Sequence, residues 1–223
     1  MAYFYVNGSS GFEKSSKNFN TGVEITIKPS NFLAITISPG FSKSFNELQY
    51  VSQTTYLNDD RYIFASIDRK TVSASFRVNF NLSPDLTLQY WGQPFVATGK
   101  YSNYKYITNP LADRYNDRFQ VYTSGQISSD PDNFYIDENK DGVQDYNFGR
   151  PDFNVQYFLS NLVLRWEYNP GSTIFIVWSQ TRDGSNGTGT MDLFNNLGEL
   201  FNEGDNKPHN VFLIKFSYRF GLK

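Results

Sequence analysis

Alternation between apolar and polar residues is sharpest in four stretches of the chain. From Thr71 to Leu82 the apolar set is Val72, Ala74, Phe76, Val78, Phe80 and Leu82, and the set between them is Thr71, Ser73, Ser75, Arg77, Asn79 and Asn81. Near the C-terminus Phe212, Ile214, Phe216, Tyr218, Phe220 and Leu222 alternate with Lys215, Ser217 and Arg219. From Phe158 to Tyr168 one set is Phe158, Leu162, Leu164, Trp166 and Tyr168, and the other is Asn161, Arg165 and Glu167. Val23, Ile25 and Ile27 alternate with Glu24, Thr26 and Lys28. Successive side chains of a strand point to opposite faces, so each run predicts a strand with one apolar and one polar face.

The connections divide into two kinds. Three are tight and carry proline: Lys28-Pro29-Ser30-Asn31, Leu82-Ser83-Pro84-Asp85 and Tyr168-Asn169-Pro170-Gly171-Ser172. Others are long and polar, at about 99–152 and 183–208. Alternating between tight and long ends predicts eight long strands, near 2–12, 20–28, 32–52, 61–82, 86–98, 153–168, 172–182 and 209–222. Short turns at one end and long loops at the other describe an antiparallel up-and-down transmembrane β-barrel of the bacterial outer membrane. The third and fourth strands exceed the ~9–11 residues that span a bilayer, so they are expected to project beyond it. Phe80, Trp166, Tyr168, Tyr218 and Phe220 should form an aromatic girdle on the tight-turn side. The competing reading is a soluble β-sheet protein whose aromatic side chains pack a core or bind carbohydrate.

Composition fits both readings but removes others. Aromatic residues make up 18% of 223, rich enough for strands and membrane interfaces. A mean hydropathy of −0.50 without a long apolar run argues against a helical span, whereas a barrel needs only alternate apolar residues. With a net charge of −2 and no basic cluster, nucleic acid is not an expected partner. There is no cysteine, so disulfides, thiolate metal sites and a cysteine nucleophile are ruled out. Met1-Ala2-Tyr3-Phe4-Tyr5 reads as a strand rather than a signal peptide. The expectation is therefore a mature or truncated piece of an exported protein: a single barrel domain or barrel fragment over 1–223, the C-terminal portion of a larger barrel.

One loop carries a specific motif. Asp137-Glu138-Asn139-Lys140-Asp141-Gly142-Val143-Gln144-Asp145 fits D-x-N-x-D-G-x-x-D. Calcium takes six to eight oxygens, and such spacing brings them together around a glycine turn. The expected ligands are the side chains of Asp137, Asn139, Asp141 and Asp145 and the carbonyl of Val143. An EF-hand places a glutamate at loop position twelve, which here is Phe148, so the loop more closely resembles those of dockerin and thrombospondin repeats. A solvated Asx-rich turn is the alternative.

Catalytic signals are weak. His209, the sole histidine, stands at a strand start and is expected to be structural. The acidic pairs Asp59-Asp60 and Asp130/Asp132 have the chemistry for glycoside hydrolysis but fall in polar loops. Arg77, Arg165, Glu167, Lys215 and Arg219 should point inward, either to line a pore or to fill a narrow barrel with a charge network. No residue is assigned a catalytic role.

Several stretches resemble a known family. They are Arg61-Tyr62-Ile63-Phe64-Ala65-Ser66-Ile67, Leu86-Thr87-Leu88-Gln89-Tyr90-Trp91-Gly92-Gln93-Pro94-Phe95, Ser160 to Ser172, and Phe212 to Phe220, with Asn161-Leu162-Val163-Leu164-Arg165-Trp166-Glu167-Tyr168 the most specific. They resemble an uncharacterised group of Bacteroidota-type outer-membrane proteins, in which a C-terminal barrel domain of unknown function follows a family-9 carbohydrate-binding-like module. The resemblance runs from about residue 30 onward. It implies a membrane location and a link to glycans, and no known activity. The combined expectation is a non-enzymatic anchor or passage for a surface carbohydrate-handling protein. Its partners would be outer-membrane lipid, a glycan ligand and, through the C-terminal strand, the barrel-assembly machinery.

Overall fold

The computed structural model describes residues 1–11, 15–202 and 207–221. Eight tall strands form one antiparallel sheet in which each pairs with its nearest tall neighbours along the chain. They are β1 (Ala2–Ser10), β2 (Ser16–Ser30), β3 (Leu33–Tyr56), β4 (Asp59–Ser83), β5 (Leu86–Ile107), β10 (Phe153–Asn169), β11 (Ser172–Asn186) and β12 (His209–Ser217). Each expected strand has its counterpart, but the last ends at Ser217, so Tyr218 and Phe220, expected within it, lie beyond the sheet. Residue 12 of the expected first strand and Leu222 of the expected last lie outside the described residues. Among the described residues β1 and β12 do not pair with each other, so the sheet has two edges.

β3, β4 and β5 run to 24, 25 and 22 residues, and β5 continues nine residues past its expected end. At the opposite end from the proline turns, β3 joins β4 through Leu57-Asn58, both with positive φ. That turn is also tight. The expectation of long connections throughout this end is corrected here: Leu-Asn is not a usual turn pair, because positive φ favours glycine or asparagine.

The tight turns are regularly staggered. Leu33 closes the first turn opposite Phe80, three residues short of Ser83. Ser83 closes the second opposite Leu86, which faces Trp166, three residues short of Asn169 at the third. A drop of about three residues per two strands, at ~3.3 Å per residue and ~4.8 Å between strands, inclines the strands by about 45° to the line of turns.

Cross-strand register defines the two faces. Ile25, Ile37, Phe76 and Gly92 lie in one row, and Ile27, Ile35, Val78, Tyr90, Leu162, Trp178 and Phe212 in the next that is complete. The opposite face carries Thr36, Arg77 and Trp91. The apolar face is largely accessible: Ile214 is 73% exposed and Phe216 61%, Phe76 and Leu164 are half-buried, and Phe158 is buried. The core lies elsewhere. Ile63, Ala65, Tyr104, Tyr106, Tyr122, Phe134, Ile136, Tyr146 and Phe148 form a buried cluster at the far end of β4 and β5.

That cluster fills a region expected to be loop. β6 (Phe119–Val121) pairs with the end of β5. β7 (Ile127–Ser129), β8 (Asn133–Ile136) and β9 (Tyr146–Gly149) form a separate three-stranded sheet. We call this assembly the cap. On β4, Ile63, Ala65 and Ile67 have the same parity as Ser73, Ser75 and Arg77, so the cap covers the face that is polar lower down. A bulge in β5 centred on Asn103 (φ 51) shifts the alternation, so that Tyr101, Tyr104 and Tyr106 share this face.

The second expected loop also contains ordered structure. A short helix, α1 (Leu193–Glu199), is capped by the Asp192 side chain. Its buried Asn196 accepts from Asn154, whose own oxygen accepts from Gln156. Phe201 meets the ring of Phe158 edge-on at 5.2 Å. The expected long connection 183–208 is thus partly strand and helix. Residues 203–206 lie outside the described ones.

Candidate functional site

The cap is the best-built candidate site. Its centre is Glu138, which the motif reading treated as a spacer between ligands. Arg61 Nε donates to both Glu138 oxygens at 3.2 Å, and Tyr146 Oη donates to Oε2. The pair is largely buried, and Tyr122 and Tyr146 hydroxyls lie 3.0 Å apart beside it. The Arg61 guanidinium also lies over the Tyr56 and Tyr106 rings, a cation–π arrangement. Burial raises the Tyr122 and Tyr146 phenols above the usual value, and the Glu138 carboxylate raises Tyr146 further. Alternation explains the missed residue: Asp137, Asn139 and Asp141 occupy one parity, and Glu138 the other, turned to the core.

The motif itself forms a closed turn. Asp137 Oδ1 and Oδ2 accept from the amides of Asp141 and Gly142, Asn139 Oδ1 from Asp141, and Asp141 Oδ1 from Val143. Lys140 (φ 65) and Gly142 (φ 87) take the left-handed conformations that fold the chain back. Asp145 Oδ2 accepts from the Glu138 amide. Among the described residues no three acidic or histidine side chains are grouped as a metal site. Beside this turn a cavity of about 370 Å³ is lined by Gly125–Ile127, Tyr135–Asp137 and Gly142–Gln144.

The other sequence candidates scatter. His209 opens β12 and is exposed, and Asp59 and Asp60 are exposed at the start of β4. Asp130 accepts from the Asp132 and Asn133 amides and the Tyr135 hydroxyl, which hold its carboxyl below the usual range. This suits a turn former better than a general acid, whose pKa must rise. Arg165 pairs with Glu167 at 2.7 Å on the polar face. Among the described residues it is the sole ion pair within the expected inward set. Arg219 lies against the β10–β11 turn, where its amide donates to Ser172 Oγ.

The architecture defines an all-β protein of eight tall antiparallel strands bearing a capped end. Over residues 2–220 the chain matches the domain of unknown function DUF5916, and it belongs to that family. Neither the curated proteins nor the solved structures include a match to it.

Proposed function

We propose that the chain is an outer-membrane β-barrel domain, without catalysis of its own, that anchors or opens a passage for a surface carbohydrate-handling protein. The observation that carries this reading is the accessible apolar belt on one face of the inclined strands. On β4 the belt runs from Val72 to Leu82. Ten residue steps at ~3.3 Å, inclined by about 45°, give a height of about 23 Å, against ~25 Å for the apolar band of outer-membrane barrels. The inclination itself matches the ~35–45° that barrels require. Phe32 with Phe80, Trp166 with Tyr168, and Tyr168 with Phe216 make ring contacts on the tight-turn side, as an interfacial girdle would. The unpaired edges of β1 and β12 support closure with further strands of a larger barrel, since open edges are not tolerated in lipid.

The carbohydrate role rests on the family resemblance of the barrel stretches, and the cap is where we place a glycan contact. Calcium is proposed as a structural ion of the Asp137–Asp145 turn, held by Asp137, Asn139, Asp141, Asp145 and the Val143 carbonyl. The gathered oxygens of Asp137, Asn139 and Asp141 support it, and Asp145, whose Oδ2 accepts from the Glu138 amide, would join through its other oxygen. The membrane reading is tested by folding the chain into phosphatidylcholine vesicles. Heat-dependent electrophoretic mobility and protection of the belt from protease are expected. A chain that stays soluble and monomeric without detergent would return the domain to the soluble carbohydrate-binding reading.

A further inference from the structure

Directly above the belt, on the same face, three lysines stand on three consecutive strands. Lys43 on β3 faces Lys70 on β4, and one row further up Lys17 on β2 faces Phe45. Corrected for the strand inclination, the three ammonium-bearing positions fall within about two residue steps of one level. Below them on β3 and β4 come Phe41 and Val72, which face each other at the top of the belt.

This placement is unfavourable for the isolated chain. Like charges directly opposite on a sheet repel. One carboxylate lies among them: Asp68 reaches Lys43 Nζ at 3.3 Å. Among the described residues Lys17 and Lys70 have no carboxylate within ion-pair distance. The patch therefore keeps an excess of positive charge. Lys17, Asn18, Phe19, Lys43, Phe45 and Asp68 border an open groove of about 430 Å³, with two phenyl rings among the ammonium groups. Phe19 and Phe41 are in ring contact at 6.5 Å.

We propose that Lys17, Lys43 and Lys70 bind the phosphate of a membrane lipid headgroup in the leaflet on the cap side. The inference rests on the membrane reading above. The chemistry matches the position: acyl chains would lie against the belt, the rings would sit at the interface, and phosphate would meet the ammonium groups. The Asp68 carboxylate faces the same groove. It would repel an anion, yet it also holds Lys43 in place, and three cations outnumber it.

The test uses the full chain in phosphatidylcholine vesicles containing either diphosphorylated lipid A or the same lipid with its phosphates removed. Native mass spectrometry of the extracted protein reads retained lipid, and heat-dependent mobility reads insertion. The wild type should retain the phosphorylated lipid on the order of tenfold or more over the dephosphorylated one. Replacing all three lysines by glutamine should abolish the preference, and replacing them by arginine should keep it. Lys100→Gln serves as a control, because Lys100 lies higher and is paired with Asp152 at 2.6 Å. Added inorganic phosphate should not displace the lipid. Normal insertion with equal retention of both lipids would overturn the lipid site alone. Failure of the wild type to insert into either vesicle would overturn the membrane reading beneath it.

Discussion

The ring of Phe76 lies over Gly92 on the neighbouring strand, where a Cβ would come within 2.4 Å of the ring's Cζ. The glycine leaves a gap in the apolar belt and the phenyl fills it. Gly92→Ala should force the ring aside and cost about 1 kcal/mol of stability in vesicles, measured by urea unfolding. Gly149→Ala in the cap, where no atom lies within 4 Å of the added methyl, should leave the midpoint unchanged.

Phe76 also tests the direction of the belt. On the proposed membrane reading Phe76→Arg places a cation against lipid, at a cost of about 2–4 kcal/mol near the midplane, whereas Ser75→Arg places it on the polar face. Insertion yield should fall sharply for the first and little for the second. Equal yields would remove the belt from the bilayer.

The Arg61–Glu138 pair should hold the cap together. Glu138→Gln leaves Arg61 without its counter-charge in a largely buried setting, a loss of about 3 kcal/mol. Hydrogen exchange should accelerate in β7, β8 and β9 while the lower halves of β4 and β5 stay protected. Uniform acceleration through the whole strand would mean that cap and belt unfold as one unit.

The buried phenols set an alkaline limit. Tyr122 and Tyr146 ionise later in the folded cap than at the ordinary 10.0 of the unfolded chain. Their contribution is full below that value and is lost as pH rises through the folded ones. Absorbance titration should show a late group among the 16 tyrosines, rising together with cap unfolding. Tyr146→Phe should weaken that late step.

Calcium should bind the Asp137–Asp145 turn with measurable heat, and Asp141→Ala should abolish it. The Asp141 side chain also accepts from the Val143 amide, so the variant must be checked for an intact cap by hydrogen exchange. No heat from a well-folded wild type would leave the turn as a hydrogen-bonded Asx loop.

The eight tall strands were legible because period-two alternation is strong wherever one face is apolar, as from Val72 to Leu82. The cap was not. Phe134 and Ile136 bury their side chains from a strand of only four residues, and Tyr104 joins them only after the Asn103 bulge breaks the alternation. α1 was hidden because its buried residue is Asn196, whose partner Asn154 is equally polar. Within the motif, the acidic ladder drew attention to Asp137 and Asp141. Glu138, between them, shows its role only through Arg61, 77 positions away in the sequence.

β4 carries the belt and the cap core on one unbroken strand, from Ile63 to Leu82. The interval from Ile63 to Val72 spans nine residue steps, a rise of about 21 Å at the strand's inclination. If the belt sits in a bilayer as proposed, a surface built on that upper segment has a fixed stand-off from the lipid headgroups, set by covalent geometry rather than by a flexible stalk. Long polymers grazing the membrane would meet the cap before they met the bilayer.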